Sequence, residues 1–280
     1  MNGCCCVTTP EAASRGHIDC VQKLYVENTG WWWATTCNAA AEAGHLDILQ
    51  WVRSHGGHWN ESTCAAAARG GHLVVLQWAR TNLCRWNSDT CMEAAKAGLL
   101  EVLEWAHDHN CPWRADTCAA AALGGHLEVL QWARSKGCPW AASTCAMAAL
   151  GGHIKLLQWA RRNGCKWGVE TCAMAAKTGN LPLLKWLRGN SCPWNERTTD
   201  LAYMGGHCDV LQWAILHGCP VDGPYAQRFG SAVSLHLCVV VASRLAKEKN
   251  ECGHATRTTR LMTTLAKVPV EIVHKIAEFL

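Results

Sequence analysis

The stretch Thr117–Trp140, TCAAAALGGHLEVLQWARSKGCPW, recurs with variations every 27 residues along a chain of 280. One cysteine series runs Cys37, Cys64, Cys91, Cys118, Cys145 and Cys172, and a second runs Cys84, Cys111, Cys138, Cys165, Cys192 and Cys219. Two tryptophan series keep the same interval: Trp51, Trp78, Trp105, Trp132, Trp159, Trp186 and Trp213, and Trp32, Trp59, Trp86, Trp113, Trp140, Trp167 and Trp194. Four registers in phase define a tandem repeat. A unit this short cannot bury its own apolar stripe, so its stability has to come from stacking against the next copy.

Within the unit, the alanine-rich run Asp116–Leu123 predicts a first helix, with Asp116 or Thr117 as its N-cap. Gly124-Gly125 interrupts it. A second helix is predicted from His126, and its apolar Leu127, Val129, Leu130, Trp132 and Ala133 span more than one face, as in a helix packed between neighbours. Arg134 and Lys136 suit the negative end of its dipole, Gly137 offers a left-handed stop, and Pro139 prevents continuation. Ala119–Ala122 allow helices to approach at the short end of the roughly 8–10 Å range. The tryptophans, each able to bury about 150–250 Å², are expected to fill the space between layers, so that Trp132→Ala should loosen a whole junction.

The run Asp116–Leu130, DTCAAAALGGHLEVL, resembles the ankyrin repeat. Thr117 and Cys118 stand where Pro and Leu of the T-P-L-H-x-A pattern fall. Gly125-His126-Leu127-Glu128-Val129 is similar to the start of the ankyrin second helix, and Gly137-Cys138-Pro139-Trp140 to its exit. An ankyrin repeat has about 33 residues, and the shortfall here lies between Trp140 and Ser143, where the β-turn finger belongs. The resemblance implies an all-α, ankyrin-like solenoid of stacked helix-turn-helix repeats, with hairpin fingers shortened or absent. Short tryptophan- and cysteine-rich repeats of this kind also resemble those of giant-virus and protist proteins.

The repeats organise the chain. Residues 1–9 form an N-terminal tail whose Cys4-Cys5-Cys6 has no apolar or polybasic second signal for lipid anchoring. Residues 10–245 form the solenoid of about nine repeats, of which 32–220 are regular. The first copy is degenerate, offset by 28, and carries Lys23 where later copies have tryptophan, which suits a polar cap. The ninth copy runs from Val221 to about Leu245; its VSLHLCVVVASRL is too short to cross a bilayer. Residues 246–267 are a polar, basic linker, and the charges from Arg244 to Lys267 match the +4 formal charge of the whole chain, leaving the repeats close to neutral.

The final stretch, residues 268–280, VPVEIVHKIAEFL, has Pro269 at a helix N1 position, Glu271 in the first turn, and Ile272, Ile276, Phe279 and Leu280 on one face. It resembles the opening helix of an F-box, which commonly starts Leu-Pro-x-Glu-Ile. That resemblance implies recruitment of a cullin-type ubiquitin ligase. An amphipathic helix capping the last repeat is the other reading.

Twelve of the nineteen cysteines are locked to the repeat. Equivalent positions in adjacent layers stand about one helix spacing apart, beyond the roughly 7 Å Cα limit for a bridge, so cysteines of one series are expected not to pair. The odd count and the lack of a signal peptide ahead of the repeats point to a reducing cytoplasmic compartment, the host cytoplasm if the chain is viral.

His45, His72, His126, His153 and His207 share one position, but Leu99 and Asn180 replace them in two copies and no zinc spacing links them. They are read as structural, hydrogen-bonding across a repeat turn, with no metal or cofactor expected. Arg53, Arg80, Arg134, Arg161 and Arg188 form a stripe near tryptophans, which raises single-stranded nucleic acid. The near-neutral repeats lack the basic footprint that phosphates require, so the arginines read as a solvated last turn and the tryptophans two positions earlier as pointing into the stack. No phosphate loop, nucleophile elbow or carboxylate pair marks an enzyme.

Function is then expected where the copies differ. Near the end of the first helix Leu123, Met147, Leu150 and Met174 predict an apolar patch on the concave face that binds a protein client, unless these side chains simply pack between layers. The chain reads as a monomeric protein-interaction scaffold or adaptor. The alternative is a nucleic-acid-binding or redox-responsive cysteine-rich protein.

Overall fold

The computed structural model describes residues 6–27 and 33–221, and every helix or strand among them is an α-helix. The ninth repeat, the basic linker and the segment with Pro269, Glu271, Ile272, Ile276, Phe279 and Leu280 lie outside the described residues. Two compact units, Met1–Lys166 and Trp167–Leu280, divide the chain. The first contains six helix pairs: α1 (Thr9–Ser14) with α2 (Ile18–Glu27), α3 (Trp33–Ala43) with α4 (Leu46–Ser54), α5 (Glu61–Gly70) with α6 (Leu73–Thr81), α7 (Ser88–Ala97) with α8 (Leu100–Asp108), α9 (Ala115–Gly124) with α10 (Leu127–Ser135), and α11 (Ala142–Leu150) with α12 (Ile154–Arg162). The second contains α13 (Val169–Lys177) with α14 (Leu181–Gly189), and α15 (Glu196–Met204) with α16 (Cys208–Leu216).

Within the first unit the odd-numbered helices pack in succession from α1 to α11, and within the second α13 packs on α15. Their contact faces explain the close approach: Cys64, Ala67 and Ala68 of α5, like Cys118, Ala121 and Ala122 of α9, are completely buried. The even-numbered helices add Val75, Leu76 and Ala79, or Val129, Leu130 and Ala133, at i, i+1 and i+4. No strand occurs among the described residues, and segments such as 82–87 pass straight from one pair to the next.

Each turn is closed by backbone hydrogen bonds. At the end of α9, Gly125 adopts φ +77°. Its N–H donates to Ala122 O at 3.3 Å, and the His126 N–H donates to Ala121 O at 3.0 Å, the paired bonds of a Schellman ending.

Two expectations are corrected here. Neither Asp116 nor Thr117 caps the first helix: α9 begins at Ala115 with Arg114 at the N-cap. In α5 and α7 that place belongs to Asn60 and Asn87, whose side chains accept from Ser62 N and Asp89 N at 3.1 and 3.0 Å. Thr117 instead lies buried inside the first turn. Nor do the tryptophans fill the layers, because Trp132 and Trp140 are only half-buried. Helices brought together by alanine and cysteine leave no interlayer space for an indole, which is displaced to the flank of the stack.

Candidate interaction surface

The variable positions predicted to carry function lie at the ends of the odd-numbered helices. The structure leaves Leu123, Met147, Leu150 and Met174 all half-buried. Leu123, Met147 and Leu150 belong to neighbouring α9 and α11; Met174 belongs to α13 of the second unit. Earlier in the same row the equivalent places are charged: Arg69 donates to Glu42 at 3.2 Å and to Glu93 at 3.0 Å. These partners are 27 and 24 residues from Arg69, the separations of Leu150 and Met147 from Leu123. Within the first unit the row therefore passes from an ion-paired trio to an apolar one in the same register. The Arg69 guanidinium is held above its ordinary pKa by its hydrogen bond to Glu93, against partial burial.

Behind this row runs a ladder of histidines. His126 Nε2 lies 3.0 Å from Lys96 O, and His153 Nε2 lies 3.1 Å from Leu123 O. His207 makes the same contact with Lys177 O at 3.0 Å in the second unit. Each ring also covers a left-handed glycine of the preceding copy, His126 over Gly98 and His153 over Gly125. The acceptor is 30 residues back, so the side chain ties one turn to the turn before it.

On the flank the arginines are not a solvated stripe, as the sequence reading had it. Arg53, Arg80, Arg134 and Arg188 lie 4.1–4.3 Å from the ring centroids of Trp59, Trp86, Trp140 and Trp194. The same guanidinium closes the end of its helix: Arg80 and Arg134 donate to Cys84 O and Cys138 O, and Arg161 to Cys165 O at 2.8 Å. Each loop tryptophan then meets, edge-on, the tryptophan of the helix pair that follows it, as Trp86 does Trp105 at 5.8 Å and Trp140 does Trp159 at 5.8 Å. The ring partner of Arg134 is not Trp132, two positions before it, but Trp140, six positions on and across the helix end. A cavity of 450 Å³ opens beside this ladder, lined by Gln77, Arg80, Thr81, Trp86, Trp105 and His109. Each of these guanidiniums thus gives Nη1 to a carbonyl of its own copy, and in Arg53, Arg80, Arg134 and Arg188 a face to an indole as well.

The two cysteine series, separate in sequence, meet inside each of the five copies that carry both. Cys118 Sγ lies 4.0 Å from Cys138 O, and Cys138 Sγ approaches Arg114 O at 3.4 Å, joining the loop to the start of α9. The neighbouring Cys138 thiol and burial raise Cys118, while Cys138, beside the Cys118 thiol and Arg134, is lowered. Cys37 and Cys219 are pushed up to about 12, chiefly by burial. Cys20, which belongs to neither series, is disulfide-bonded.

No protein-family model and no curated protein matches the chain. Among solved structures it is similar to the human ASB11 ankyrin repeat domain, at 13% identity and a TM-score of 0.45 over 57% of this chain and 85% of that one. No described helix is long and apolar enough to cross a membrane.

Proposed function

We infer that the chain is an interaction scaffold that binds a protein client along the ends of its odd-numbered helices, without doing chemistry itself. The observation that supports this reading is a division of labour. Positions that repeat are buried or engaged in holding copies together, whereas the row through Arg69, Leu123, Met147 and Leu150 varies and stays accessible. Apolar side chains grouped beside charged ones provide the anchor-and-rim composition that protein partners use. Met174 extends the same register in the second unit. In the sharper form of the proposal, residues 268–280 recruit a cullin-type ubiquitin ligase, as the F-box resemblance implies, and the protein acts as an adaptor.

The test is affinity capture with three chains: the intact protein, Leu123→Lys/Leu150→Lys, and a chain ending at Lys267. Clients should be lost from the double variant with its helicity unchanged. Ligase subunits should be lost only from the truncated chain. Equal capture by the intact protein and the double variant would rule out the row as the binding face.

A further inference from the structure

The first copy departs from the histidine ladder. His17 occupies the position of His126 and His153, preceding the second helix of its pair, α1 with α2. It meets sulfur instead: His17 Nδ1 lies 3.3 Å from Cys6 Sγ. Cys20 stands three residues further on, and the ligand atoms of Cys6, His17 and Cys20 all lie within 4.8 Å of one another. Neither cysteine belongs to a repeat series. At the position of Cys20 the later copies carry Ile48, Val75, Val102, Val129, Leu156, Leu183 and Val210, all buried. A cysteine replaces an aliphatic side chain only in the copy that also brings Cys6.

We propose that Cys6, His17 and Cys20 form a zinc site that pins the N-terminal segment to α2 and closes this end of the first unit. Two sulfurs and an imidazole are a donor set that favours Zn²⁺ over Mg²⁺ or Ca²⁺. Bonds of about 2.3 Å to sulfur and 2.0–2.1 Å to nitrogen put tetrahedral ligand atoms roughly 3.5–3.8 Å apart, so the cluster needs only sub-ångström to ångström adjustments to close on one ion. Its supports are already built. His17 and Cys20, three apart at the start of α2, share a side of the helix. Cys6 precedes a capped turn in which Thr8 Oγ1 accepts from Glu11 N at 3.3 Å and the Glu11 carboxylate accepts from Val7 N at 3.0 Å. Cys6 is buried and His17 exposed, so the ion has an entry path. The fourth position falls to water.

The disulfide at Cys20 competes with the ion for one sulfur. A trialkylphosphine opens it by taking the oxygen of one water, whose two protons go to the two sulfurs. Zn²⁺ then displaces the thiol protons of Cys6 and Cys20 and binds His17 as neutral imidazole, releasing two protons for these ligands.

The experiment uses the full chain, reduced with phosphine and desalted anaerobically, titrated with Co²⁺ and then with Zn²⁺. One equivalent of Co²⁺ should give thiolate charge-transfer and tetrahedral d–d absorption, and one equivalent of Zn²⁺ should abolish both. Cys6→Ser and Cys20→Val should each weaken binding at least about 100-fold, beyond the 10–100-fold cost of a lost outer-shell partner. Cys208→Ser, which removes an exposed thiol elsewhere, should change nothing. Cys20→Val restores the side-chain type of the later copies and guards against misfolding. No cobalt spectrum in the parent, or a spectrum that survives in Cys6→Ser and Cys20→Val, would overturn the site.

Discussion

Replacing Gly125 by alanine tests the coupling between copies, and replacing Gly137 supplies the control. Both glycines lie in the same copy with left-handed backbone, at φ +77° and +83°, where a Cβ costs about 1–2 kcal/mol. Their surroundings differ. A Cβ on Gly137 would meet nothing within 4 Å, whereas one on Gly125 would lie 2.4 Å from His153 Cε1. Sister copies support the contrast: Leu83, Asn110 and Ser191 occupy the Gly137 position with positive φ, while every copy from Gly16 to Gly206 keeps glycine at the Gly125 position. Gly137→Ala should therefore cost about 1–2 kcal/mol. Gly125→Ala should add an overpacking term of about 1–3 kcal/mol and the His153–Leu123 hydrogen bond, about 0.5–1.5 kcal/mol, reaching about 2.5–6.5 kcal/mol in all. The assay is urea denaturation followed by tryptophan fluorescence and far-ultraviolet circular dichroism, comparing midpoints at unchanged m. His153→Ala in the Gly125→Ala background removes the clashing ring, so the two substitutions should be less than additive by about 1–3 kcal/mol. If the two glycine variants differ by less than about 0.5 kcal/mol, an ordinary error of additivity, the ladder does not couple the copies and the reasoning fails.

Leu130 is fully buried and Trp132 beside it is not, so Leu130→Ala should cost about 3 kcal/mol and Trp132→Ala no more, despite the larger ring; a thermal-melt ranking with Trp132 clearly ahead would return the indoles to the core. Alkaline pH should destabilise the first unit through Cys37. Its folded pKa of about 12 lies above the ordinary value of 9.0, so its contribution is complete below pH 9 and lost as pH rises towards 12. There the unfolded state holds fewer protons, and unfolding free energy should fall by up to about 1.4 kcal/mol per pH unit. Urea midpoints between pH 8 and 10.5 should slope down more steeply for the parent than for Cys37→Ala.

Much of the repeat was legible because it is local. The alanine run, Gly125 and Pro139 place two helices and two turns within 27 residues, and helix formation and left-handed stops depend on near neighbours in sequence. The role of the histidines was also legible in outline, since side chains at one recurrent position in a stack meet the adjacent copy. The candidate surface was legible as a set of varying positions, but its charged beginning was not: the Arg69 bridges to Glu42 and Glu93 join three different copies. The meeting of the two cysteine series was not legible for the same reason: Cys138, 20 residues on from Cys118, is brought beside it by the return of the second helix.

The sequence by itself determined the period, the all-helical class and the stacking of one copy on the next, because a 27-residue amphipathic unit has no other way to bury its apolar side. Only the tertiary structure decided which residues occupy the interior. Spacing between helices is set jointly by all the side chains at their interface, and once Ala67, Cys64 and their counterparts had drawn the helices together, the tryptophans had to leave the layers and find Arg134 and its equivalents on the flank. The meeting of Cys6, His17 and Cys20 was likewise decided by the fold, since it depends on how the first helix turns back on the second.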